Sequence, residues 1–129
     1  MDACPPSRLP RHLVRLSWLF AMAPFLLLLA LLSHALHIRA VLAHWPVVYR
    51  DSPETTLLSI HEWALLWPAL YLTLLSVPAW ALLGVVPAAL GVTPRRALAL
   101  QAGALIFGAP LLAAVFRFDT TGYVEWFLD

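Results

Sequence analysis

The 129-residue sequence is 62% hydrophobic, only 12% charged, and close to neutral at a formal net charge of +1. Such a chain is built for lipid rather than water. The weak charge and the lack of a basic face exclude a nucleic-acid binder, and a single cysteine, Cys4, excludes an internal disulfide and any Cys-x-x-Cys metal or redox pair.

Charge-free runs mark the spans. Thirty-two positions separate Glu62 from Arg95 and 20 separate Arg96 from Arg117, whereas a helix crossing ~30 Å of hydrocarbon needs about 20 apolar residues. The pattern predicts an all-α integral membrane protein. Residues 1–129 form a single membrane domain, with three transmembrane helices at about 17–44, 63–86 and 97–116 and a short interfacial C-terminal tail at 117–129.

The first span follows a basic leader of Arg8, Arg11 and Arg15. Its apolar stretch, 16–33, exceeds the roughly 7–15 residues of a signal-peptide core. The small residues of "RAVLA" arrive only after His37 and Arg39, so an uncleaved anchor is expected. Pro24 should kink this helix, and Pro46 should end it at Trp45.

The loop that follows holds two helix-start signals, Ser52 ahead of Pro53 and Ser59 paired with Glu62 as a capping box. Span two contains Pro68 and Pro78 and is broken at its end by Gly84, Pro87 and Gly91. As one helix its uncharged run would reach ~48 Å, so part of it should lie outside the hydrocarbon. Span three opens with Thr93 as cap and Pro94 as first helical residue. Arg95 and Arg96 oppose the helix dipole there and make better sense as orientation signals.

With three spans, one side collects Arg8, Arg11, Arg15, Arg95 and Arg96 against Arg39, Arg50 and Arg117 on the other. The positive-inside rule then places the N-terminus in the cytoplasm and the C-terminus outside. All eight basic residues are Arg. With the Ala, Leu and Pro bias this suggests GC-rich coding and a multi-pass protein of a bacterial inner (plasma) membrane.

Trp18, Trp45, Trp63 and Trp67 fall near span ends, as aromatic belts do. In span three Ala99 and Gly103, Ala104 and Gly108, and Ala109 and Ala113 are small residues four apart, suited to packing on spans one and two or to a homo-oligomer. Gln101 and Trp80 sit at similar depth. A Trp indole donating to the Gln carbonyl is one expectation for them; Gln101 facing interfacial water is the other. The end, "RFDTTGYVEWFLD", reads as an interfacial tail with a Gly122 hinge, dipping Tyr123, Trp126, Phe127 and Leu128 into the headgroups, or as a partner-docking peptide.

The strongest chemical lead is "LLSHALHIRAVLAHW". On a helix, His37 and His44 lie about 60° and 80° from His34 on one side, and Arg39 points away. His34 is ~28 Å along the helix from Arg15, which places the stripe at the outer interface, level with His61 and Glu62. The favoured reading is a wetted polar edge, because imidazole at headgroup depth is cheap. The alternative is a ligand site: a cofactor such as haem on His34, His37 and His61, or a transition metal on His34, His37, His44, His61 and Glu62.

No acid or base lies at mid-membrane, which disfavours a proton-coupled transporter, and no nucleophile elbow or phosphate loop suggests an enzyme. The expected function is therefore a non-enzymatic accessory or assembly protein. It would take a lipid bilayer and a membrane-protein partner or second copy, without nucleic acid or cofactor. The alternative is a haem- or metal-binding electron-transfer or metal-handling subunit built on the outer histidines.

Overall fold

A computed structural model describes residues 9–47 and 60–128, and among these there are helices and short connections but no strand. The helices are α1 (Leu9–Ala21), α2 (Ala23–Leu42), α3 (Glu62–Leu74), α4 (Ser76–Ala89), α5 (Arg95–Phe118) and α6 (Tyr123–Leu128). Both α2 and α5 are long and apolar enough to cross a membrane, each with a mean hydropathy of 2.0 over its most apolar stretch. Helices α3 and α4 pass the same test together, but a bend of 60° separates them. The protein is thus all-helical with two candidate spans, or three if the bent pair is one. The helix-start signals at Ser52, Pro53 and Ser59 lie outside the described residues.

Prolines set the breaks. A proline lacks an N–H and crowds the carbonyl four residues back, so Pro24 interrupts the ladder at Met22 and Pro78 interrupts it at Leu75. Pro68 and Pro87 are accommodated differently, by widening the preceding turn. The N–H of Trp67 reaches back to the carbonyl of Glu62, and that of Val86 to Ala81. A reach of five residues rather than four makes room for each ring.

Hydroxyls tie the two sharp breaks together. Thr73 Oγ1 donates to the carbonyls of Ala69 (2.8 Å) and, across the interface, Ala23 (3.1 Å), sharing its one proton. Ser76 Oγ donates to the Thr73 carbonyl at 2.7 Å. In this way the junction of α1 and α2 is held against the bent pair α3 and α4. Helix α1 packs on α4 and α5, and α2 packs on α3 and α5.

Two boundaries differ from expectation. Helix α2 ends at Leu42 rather than at 44, because Ala43 takes the left-handed conformation (φ 62°) that closes a helix before Pro46 can act. Helix α5 starts at Arg95, with Pro94 as its cap in extended backbone (ψ 130°) and no side-chain cap. Thr93 is buried instead, its Oγ1 without a partner among the described residues, while its N–H turns back to the carbonyl of Pro87.

The core runs along α2 through Leu27, Leu31 and Ile38, meets Leu66 and Ala69 of α3, and is closed at one end by Tyr123, Val124 and Trp126. The segment after α5 therefore packs on the chain itself: Trp126 is only 8% exposed. The small residues of α5 divide in two. A Cβ at Gly108 would meet Pro24 and Phe25 at 3.0 Å, so α5 approaches α2 there only because that atom is missing, whereas a Cβ at Gly103 would meet nothing within 4 Å.

Candidate functional site

The end of the bundle closed by α6 holds most of the chemistry. His34 and His37 are one helical turn apart on α2, and α3 brings His61 against both. The His61 ring centroid lies 5.3 Å from that of His34 and 5.4 Å from that of His37. His34 is 2% exposed. Its Nδ1 shares a 2.8 Å hydrogen bond with the Tyr123 hydroxyl; with the phenol as donor, Nε2 carries the ring proton. Nε2 of His34 and Nε2 of His37 are both buried and have no hydrogen-bond partner among the described residues. His61 Nε2 lies 3.4 Å from Ser33 Oγ.

Tyr123 reaches His34 because the chain after α5 folds back. Asp119 leaves α5 in extended backbone. Its Oδ1 accepts from the Thr121 N–H (2.9 Å) and hydroxyl (2.6 Å), and its Oδ2 accepts from the Val124 N–H (2.7 Å). Gly122 supplies the left-handed residue (φ 74°) that this turn requires. The first N–H groups of α6 are therefore capped by a side chain from before the helix. Tyr123 and Phe127 stack at 6.1 Å, and both present ring edges to His34, at 6.0 and 5.9 Å.

Electrostatics follow from this packing. Burial pushes the Asp119 carboxyl up, but hydrogen bonds from the Thr121 hydroxyl and from backbone N–H groups of Val124, Thr121 and Tyr123 outweigh it and hold the group below its ordinary range. Burial, reinforced by the negative charges of Glu62 and Asp119, pushes the Tyr123 phenol up. Burial and then His37 hold the His61 imidazole down.

The structure brings His34, His37 and His61 together and sets Glu62 next to them in sequence, where its charge acts on Tyr123. His44 leaves the stripe, because α2 stops at Leu42; its Nδ1 is 2.7 Å from the Trp45 carbonyl. Among the described residues no group of three His, Cys, Asp or Glu side chains is arranged to hold a metal ion. Sequence reasoning missed Tyr123, 89 positions from His34. The available signal was "DTTG" before "YVEWF", a capping turn ahead of an amphipathic segment.

A second polar cluster pins the other end. Trp80 Nε1 donates to Gln101 Oε1 (3.0 Å), Gln101 Nε2 donates to Ser17 Oγ (2.9 Å), and Ser17 Oγ donates to the Val14 carbonyl (2.9 Å). Gln101 and Ser17 are fully buried, so the Trp80–Gln101 contact is the one formed and Gln101 does not face water. Gly84 makes room for it, since a Cβ there would lie 3.2 Å from both bonded atoms. The chain joins α1, α4 and α5 and satisfies each side-chain N–H it contains but one. Its members are a neutral amide, indole and hydroxyl, suited to holding helices rather than to reacting.

No protein-family model matches the chain, and no curated protein and no solved structure is significantly similar to it. The functional reading therefore rests on these residues alone.

Proposed function

We propose that the chain is a non-enzymatic accessory subunit of a bacterial inner membrane that docks through α5 onto a larger membrane complex. The supporting observation is an imbalance between two equally apolar helices: 33% of the apolar stretch of α2 is buried within the chain, against 11% of that of α5. Lipid alone can cover an apolar face, but it gains nothing from a glycine there, which costs about 1 kcal/mol against alanine in a helix. Ala99 and Gly103 lie one turn apart on this face, beside the exposed Leu100, Ile106 and Phe107. Small residues rimmed by large ones form a groove that fits another helix.

In this reading the bent pair α3 and α4 is one span, giving three. The cytoplasmic end carries Arg15, Arg95 and Arg96, and the external end carries Glu62, Asp119 and Glu125. The orphaned Nε2 atoms and the capped α6 then belong to the external end.

A photo-crosslinking amino acid placed at Gly103, activated in the protein's own membranes, tests the docking face. The expected product is one discrete adduct with a second, different protein, absent when the same group is placed at Gly91 in the α4–α5 turn. Lipid adducts alone, or an identical pattern from both positions, would overturn the assignment.

A further inference from the structure

Between α2 and α5, at the end where α6 folds back, lies an apolar cleft of about 370 Å³, within the roughly 300–1,000 Å³ of small-molecule sites. Helix α2 gives it Leu28, Leu32 and Ala35, and α5 gives it Leu111 and Val115. Leu32, Leu111 and Val115 are still 56%, 49% and 40% exposed, so the cleft opens sideways, towards the acyl chains of a bilayer. We propose that it holds one phospholipid of the surrounding membrane, with an acyl chain between α2 and α5 and the phosphate bound by Arg39.

Helix periodicity places Arg39 for this role. Leu28, Leu32, Ala35 and Arg39 follow one another at steps of four, three and four residues, a single stripe of α2, so the cation stands ~6 Å beyond Ala35 at the end of the cleft. Trp45, which walls the same end, holds it there: the guanidinium lies over its ring, 4.9 Å from the centroid. Stacking uses the face of the guanidinium and leaves its N–H edge to bind a phosphate. Tryptophan is the residue that aromatic belts place at headgroup level, so the apolar cleft and the cation span the two halves of an amphiphile.

Asp119 and Thr121 complete the rim, but their side-chain oxygens are committed to the turn ahead of α6. Recognition of an anion therefore falls to Arg39. The Asp119 charge on the same rim disfavours a head of net negative charge and suits a phosphate with an ammonium beside it, as in phosphatidylethanolamine. The site is separate from the docking face at Gly103, which lies ~12 Å back along α5 from Leu111, and it rests only on α2 and α5 lying in a bilayer.

Native mass spectrometry of the full chain in detergent, titrated with dioleoyl phosphatidylethanolamine, tests the site. One lipid per chain should bind ahead of any other, and dioleoylglycerol, which has the same chains and no phosphate, should bind about fivefold more weakly or worse. Arg39→Gln should weaken the phospholipid by about fivefold or more and leave dioleoylglycerol within about twofold, which also shows the cleft intact. Val115→Trp, which fills the cleft from an exposed position, should weaken both lipids. Equal affinity for the two lipids, or unchanged phospholipid binding in Arg39→Gln or in Val115→Trp, would rule the site out. So would a series of lipids with no preferred first copy, the result expected if another protein's helix covers the cleft.

Discussion

Replacing Gly108 with leucine is expected to drive α5 away from α2 and destabilise the bundle by about 3 kcal/mol. The Cβ alone would come within 3.0 Å of the Pro24 ring and the Phe25 ring. Phe25 can turn, but Pro24 is fixed by its ring and sits just after the break at Met22, so the backbones must separate. Gly108→Ala should cost less, about 1 kcal/mol, because its lone Cβ needs only a small retreat of α5 from Pro24 and a turn of the Phe25 ring. Leucine at Gly103 provides the contrast, since nothing lies within 4 Å of its Cβ. It should leave the isolated protein as stable as before or up to about 1 kcal/mol more so, while weakening capture of a partner. Reversible unfolding in mixed micelles gives the stabilities; equal losses at the two glycines would mean that α5 packs by its other face.

Gln101→Leu carries the second large effect. The substitution removes two hydrogen bonds and leaves the Trp80 indole N–H facing an aliphatic chain inside the bundle. An unpaired buried donor costs about 1–3 kcal/mol, and a helix-bridging bond in a membrane is worth on the order of 1 kcal/mol. A total loss of about 2 kcal/mol is expected. The diagnostic is non-additivity: Trp80→Phe deletes the orphaned donor, so the double variant should be less damaged than the sum of the two single changes. Strict additivity would mean that the indole and the amide do not act on each other.

Much of this architecture is readable from residue order. The uncharged runs give the apolar helices because lipid tolerates few charges, and Pro24 and Pro78 mark real breaks because the missing N–H is a local property. The Trp80–Gln101 contact was open to depth arithmetic, as both residues sit at similar depths in adjacent antiparallel segments. Ser17 was not, because nothing about a lone serine near a helix start signals that an amide 84 positions away will donate to it.

The histidine site was half legible for a similar reason. A shared helical face predicted that His34 and His37 adjoin, and a shared level predicted His61 opposite them. Helix periodicity also assigned His44 to the stripe, but it could not reveal that Ala43 would turn left-handed and end the helix first. Least legible was the tail. Its alternation of aromatics and acids fits an interfacial segment as well as a folded one, and only the capping by Asp119 turns it back onto α2. Local chemistry wrote the turn, but its docking partner depends on tertiary geometry.

The most direct test of an accessory role is native mass spectrometry of the tagged full chain, extracted from its own membranes in mild detergent. The account predicts a complex with a stoichiometric second protein, lost from the Gly103→Leu variant and retained by the Gln101→Asn variant. A chain that emerges alone, or only as copies of itself, with the same mass in both variants would contradict it.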